Sequence, residues 1–198
     1  MTRLCEVARI LSGFPLHASV DQDPDGNVLI VRPADGDSRN SINWESVRQI
    51  SVDPRKTLHD LAVGDILFRA NGKIHPAYLV QDVPVGARVI AHQHFLHISM
   101  RDKRWLPQFV TLLLNSEGAQ EYFAENASGA SQSVIKKSVL QDFELPDINL
   151  EVQKSWVGKW LQRCAKIEKL RKEIACIEEK FSTDFESQFG GISASLGG

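Results

Sequence analysis

His92-Gln93-His94, with His97 three residues further on, is the densest group of potential metal ligands in the chain. On a strand, His92 and His94 would share one face while His97 points the other way. Two imidazoles hold zinc or iron only with a third ligand from elsewhere, and no HExxH or carboxylate–histidine motif offers one. Cys5, Cys164 and Cys176 form no CxxC pair, and none lies in a pattern that would activate a thiolate. No GxSxG elbow is present, nor a phosphate-binding GxxxxGK or GxGxxG loop. The expectation is therefore no catalytic residue, no metal site and no cofactor. A metal-dependent hydrolase using His92 and His94 stays open as an alternative.

Three polar runs suit another chemistry. Arg69-Ala70-Asn71-Gly72-Lys73 follows an apolar run, and Arg101-Asp102-Lys103-Arg104 precedes a helical one. Ser131-Gln132-Ser133 with Lys136-Lys137 forms the third. Arg and Lys bind phosphate or guanine O6/N7, and Asn and Gln pair with adenine N6/N7. The expected contacts to double-stranded DNA are Arg69, Asn71, Lys73, Arg101, Lys103, Arg104, Ser131, Gln132, Lys136 and Lys137. Net charge is −2, so the whole chain is no polycation. Residues 28–110 nonetheless carry +3, from 11 basic and 8 acidic groups, together with five of the six histidines.

Those runs need elements to carry them. Up to about residue 100 short apolar runs recur: 28–31, 65–68, 78–80, 88–91 and 95–98. Turn signals at Asp25-Gly26-Asn27, Val63-Gly64, Asn71-Gly72 and Pro84-Val85-Gly86 separate them. Such spacing predicts a compact, curled sheet or barrel. From Trp105 to Leu114 the pattern becomes helical, with Pro107 in the first turn, and a second short helix continues to Asn126. A polar loop of small residues follows.

The clearest element runs from Glu151 to Phe181, without proline and with Gly158 as its one glycine. Val157, Trp160, Cys164, Ile167, Leu170, Ile174, Ile177 and Phe181 recur three or four apart, a coiled-coil-like stripe. At about 1.5 Å per residue such a helix is about 46 Å long, too long to bury its stripe on a small sheet. A homodimer through those eight residues is expected. A helix-mediated assembly protein with no nucleic-acid role is a third reading. The predicted fold is α+β: a curled, β-rich domain with short helices over 1–148, a long helix over 149–184 and a disordered tail over 185–198. No apolar run approaches the roughly 18–20 residues of a membrane span, and no secretory signal is recognised, so a cytoplasmic location is expected.

Taken in order, several segments resemble a known family. They are Leu4-x-x-Val7-x-x-Ile10-x-x-Gly13, then Leu61-x-x-Gly64-Asp65-Ile66-Leu67-Phe68-Arg69-x-x-Gly72, then Leu106-Pro107-x-Phe109 with Leu114-Asn115-Ser116. Gly129-x-x-Gln132-x-x-Ile135, Leu145-Pro146, Leu150-Glu151-x-Gln153 and the long helix complete the series. The series resembles one half of the specificity subunit of type I restriction–modification enzymes: one target recognition domain and one spacer helix. The resemblance implies reading of half of a split DNA sequence. It also implies partnership with a methyltransferase (modification) subunit and the restriction subunit. Pro146 and Gln153 are expected to define the start of the long helix.

Overall fold

A computed structural model describes residues 1–16, 23–129 and 133–189. The order of elements is β1 (Thr2–Arg3), α1 (Leu4–Val7), β2 (Ala8–Ser12), β3 (Val28–Val31), β4 (Arg48–Ile50), β5 (Ile66–Arg69), β6 (Ala77–Leu79), β7 (Val89–Ala91) and β8 (Phe95–Met100). Then follow α2 (Pro107–Leu114), α3 (Glu117–Glu125), α4 (Lys137–Gln141), β9 (Glu144–Leu145) and α5 (Leu150–Phe189). The fold is α+β, as the runs predict. All five expected strands are present, within a residue or two of their runs.

Four strands form an antiparallel sheet in the order β2-β8-β5-β6, and three form a second in the order β4-β3-β7, where β3 and β7 run parallel. A tight turn from Ala91 to Phe95 joins the sheets, closed by Phe95 N–H on the His92 carbonyl. The strand period of two sorts the core. Ile66, Phe68, Ala77, Leu79, Leu96 and Ile98 face one core with Phe109, Leu114, Phe123 and Leu140 from the helices. Leu67, Tyr78 and Phe95, from the intervening positions, face a second core with Val31, Val89 and Ala91. Being buried on both faces, β5 reads as a continuous apolar run rather than an alternating one.

Among the described residues four side-chain amides act as pieces of strand. Asn27 bonds both the N–H and C=O of Val52 (2.9 and 3.0 Å), and Asn115 does the same for Ala77 (3.0 and 2.8 Å). Gln120 grips His75 in the same way (3.1 and 2.9 Å). Gln153 accepts from Leu106 N–H and donates to the Arg104 carbonyl, both at 2.9 Å. Each satisfies two backbone groups that no neighbouring strand reaches.

The chain divides into two units, Met1–Val157 and the residues from Gly158 onward. Helix α5 begins within the first. Asn149 caps it, its side-chain oxygen accepting from Val152 N–H (3.0 Å), and buried Gln153 fixes its first turn. That is the role expected of Gln153. The helix runs to Phe189, five residues past the expected end at 184. The rest of the expected tail, 190–198, lies outside the described residues. Among the described residues no helix is long and apolar enough to cross a membrane.

Candidate nucleic-acid interface

Gly72 lies in the β5–β6 turn with φ of +135°, a region that favours glycine. The turn folds Arg69 back over it: Arg69 Nε donates to the Asn71 carbonyl at 2.8 Å, and the guanidinium lies where a Gly72 side chain would begin. Part of the donor set expected to meet DNA is thus spent on shaping its own loop. Lys73 is exposed beside it.

The third polar run arrives at the same place. Gly72 N–H donates to the Ser133 carbonyl (3.0 Å) and Ile135 N–H to the Ala70 carbonyl (2.8 Å), with an antiparallel bridge between Asn71 and Val134. Lys136, exposed, and Lys137, half-buried, follow at the start of α4. Arg69, Asn71, Lys73, Lys136 and Lys137 therefore sit on two loops stitched into one surface. Ser131 and Gln132 fall outside the described residues.

Arg101, Lys103 and Arg104 do not join them. Strand β8 runs antiparallel to β5, with Arg69 opposite Phe95 and Ile66 opposite Ile98. Arg101 follows β8 at its other end, six residues beyond Phe95, or about 20 Å along the strand. There Arg101 N–H meets the Val7 carbonyl, and Arg104 pairs with Asp102 at 2.6 Å. The Arg104 side-chain bond holds the Asp102 carboxyl below its ordinary value. This loop and the first turn of α5 border a cleft of about 520 Å³ that Trp105, Asp147 and Asn149 also line.

The histidines occupy a different geometry from the expected strand face. His92 and His94 lie in the β7–β8 turn, their rings 4.5 Å apart, with His94 N–H donating to His92 Nδ1. Burial, the neighbouring His94 and Arg32 push His92 below its usual value. His97 lies on β8, buried, its Nε2 2.7 Å from Asp65 Oδ2. Burial raises the Asp65 carboxyl, but bonds from His97 and from Ala62 N–H outweigh it and leave the value lowered. Among the described residues no group of three or more His, Cys, Asp or Glu side chains could hold a metal ion.

Two residues absent from the expected set organise these two loops. His75 is 2% exposed. Its Nδ1 is 3.0 Å from the Arg69 carbonyl and its Nε2 3.0 Å from Ser133 Oγ, while Gln120 grips its backbone. The sequence trace of this arrangement is a histidine three residues after a turn glycine, Gly72.

On α5, Val157 packs partly buried against the first unit's core, and Trp160 is 9% exposed. Cys164 and Ile167 are half-buried. Beyond them Leu170, Ile174, Ile177 and Phe181 are exposed, as are Phe185 and Phe189, at 46–70%. The apolar stripe thus continues two turns past Phe181, its last three rings in contact at centroid separations of 6.2 and 5.1 Å.

No family model matches the chain, and no curated protein matches it in sequence. Solved structures do match. The type I restriction–modification S subunit from M. genitalium superposes on 96% of this chain and 45% of its own, at a TM-score of 0.62 and 15% identity. The HsdS subunit from Thermoanaerobacter tengcongensis does so over 86% and 38% (TM-score 0.59, 18% identity). A chain from a structure addressing complex assembly and conformational transition of the type I system does so over 93% and 43% (0.59, 20%). The chain has the fold of a specificity subunit and spans less than half the length of these three.

Proposed function

We propose that this chain is the DNA-reading component of a type I restriction–modification complex and that it works as two copies joined through α5. The observation that carries this reading is the fold: at least 86% of this chain matches each of the three S-subunit structures. The exposed stripe from Leu170 to Phe189 gives α5 a face for its counterpart. In this reading the chain supplies sequence recognition, a methyltransferase subunit supplies the chemistry and the restriction subunit completes the assembly. The hydrolase reading of His92 and His94 is less favoured, since only two imidazoles converge there. The assembly-protein reading leaves the paired polar loops without a purpose.

A two-fold pair presents one reading surface twice, in inverted orientation. The target is then two inverted copies of one half-site with unread bases between. At about 1.5 Å per residue the 40 residues of α5 span about 60 Å, which bounds the gap at roughly 18 base pairs. The test combines the chain with a type I methyltransferase subunit and maps the methylated adenines. Inverted half-sites support the reading. A contiguous or asymmetric site refutes the paired copies, and methylation independent of the chain refutes the reader.

A further inference from the structure

The two loops of the candidate interface are far apart in sequence; backbone bonds join them, and His75 adds a side-chain link between them. The Arg69 carbonyl can only accept, so His75 Nδ1 carries the proton. In the neutral ring Nε2 is then an acceptor, and the Ser133 hydroxyl donates to it. Burial and the nearby Arg69 charge both favour this neutral form. The ring cannot drift: Phe68 stacks against it (centroids 6.1 Å apart, planes 14° apart), and the Gln120 amide fixes its backbone to α3.

Resting on the DNA-reading proposal, we infer that His75 is a positioning residue for sequence discrimination: through Ser133 it holds the 69–73 loop and the 133–137 segment in one fixed arrangement. The physical ground is the difference in tolerance between two kinds of contact. A bidentate bond to a base edge is directional and fails with a small rotation of the donor. A lysine near a phosphate acts mainly as a point charge and survives the same displacement. A loosened clasp therefore blurs base preference while leaving charge-driven binding in place. A side chain that mattered only for stability would lower both together.

The experiment uses the full chain with a type I methyltransferase subunit, selecting from a random-sequence duplex pool and measuring affinity for the selected duplex and for bulk random duplex across salt. Ser133→Ala removes the partner of Nε2 at a half-buried position without touching the core. His75→Asn keeps a donor near Nδ1 and loses the Nε2 contact. Both variants should lower the selected-to-random affinity ratio by about tenfold with the random-duplex salt slope unchanged, and Ser133→Thr, which keeps the hydroxyl, should restore the ratio. A Ser133→Ala chain that selects the wild-type sequence with the wild-type ratio overturns the inference and leaves the reading intact. Equal loss of specific and random binding also overturns it. A wild-type chain that selects no sequence overturns the reading itself, and the inference with it.

Discussion

Replacing Gln153 by leucine removes the amide that ties the start of α5 to the loop before α2, and the cost follows from what it leaves behind. Gln153 is 1% exposed, and its two bonds are both 2.9 Å long. Leucine fills much of the same volume, so the loss is one of hydrogen bonding rather than packing. The Leu106 N–H, on a half-buried residue, is left without its acceptor, at about 1–3 kcal/mol. Arg104 is exposed, so water can replace the amide at its carbonyl, at about 1 kcal/mol or less. The expected destabilisation is about 2–3 kcal/mol, read as a lower urea midpoint with unchanged slope. Tryptophan fluorescence is a suitable probe, because Trp105 lies buried between the two bonded residues. Gln153→Glu sharpens the test. One carboxylate oxygen can still accept from Leu106, but the other then faces the Arg104 carbonyl, and a buried unpaired charge costs about 3–5 kcal/mol. Protonation would convert that oxygen to a donor, so the folded-state value of this Glu is raised and the penalty should shrink from pH 7 to pH 5. If both variants stay within about 0.5 kcal/mol of wild type, Gln153 does not anchor the helix.

Three further outcomes are expected. Wild-type chain should sediment as a dimer, and Ile174→Glu with Phe181→Glu should sediment as monomer, because each substitution places an unpaired charge in the proposed seam; a wild type that is monomeric at about 100 μM removes the paired-copy proposal. Lys136→Ala with Lys137→Ala should weaken binding to all duplexes alike and reduce the salt slope by about 1 to 2, whereas Asn71→Ala should change the bases selected; identical behaviour of the two would place the reading surface elsewhere. The folded-state values of His75 and His92 are lowered, by burial first and by neighbouring charge (Arg69 for His75; His94 and Arg32 for His92). The unfolded chain takes up protons near pH 6.5 that the folded chain refuses, so this stability is complete above that pH and declines as pH falls through the folded values. His75→Asn should flatten part of the decline in urea midpoint between pH 8 and 5.5, and an equally steep decline would show that His75 does not titrate this way.

Strands β3 and β5 to β8 and the long helix are written locally. Each concentrates apolar residues at its own period between turn signals such as Gly64 and Gly72, whose positive φ a glycine suits. Strand β2 is not legible locally, because its sequence, Ala-Arg-Ile-Leu-Ser, becomes a strand by pairing with β8, a partner almost ninety residues away. Strand β4 has a single buried residue, Ile50, and too little pattern to announce itself. The end of α5 is hard to read locally because Ser182, Thr183, Asp184 and Ser187 lower helix propensity, yet Phe181, Phe185 and Phe189 keep the helical spacing. The residue types of the proposed DNA-facing surface are legible as well. Their grouping is not. The antiparallel register of β5 and β8 sends Arg101, Lys103 and Arg104 to one end of the sheet and Arg69, Asn71 and Lys73 to the other. The bonds from His75 to Gln120 and Ser133 span 45 and 58 residues. Sequence specifies what repeats over a few residues, because propensity and amphipathic period act at that range. Which distant loops share a surface depends on strand order and register, which exist only once the chain has closed on itself.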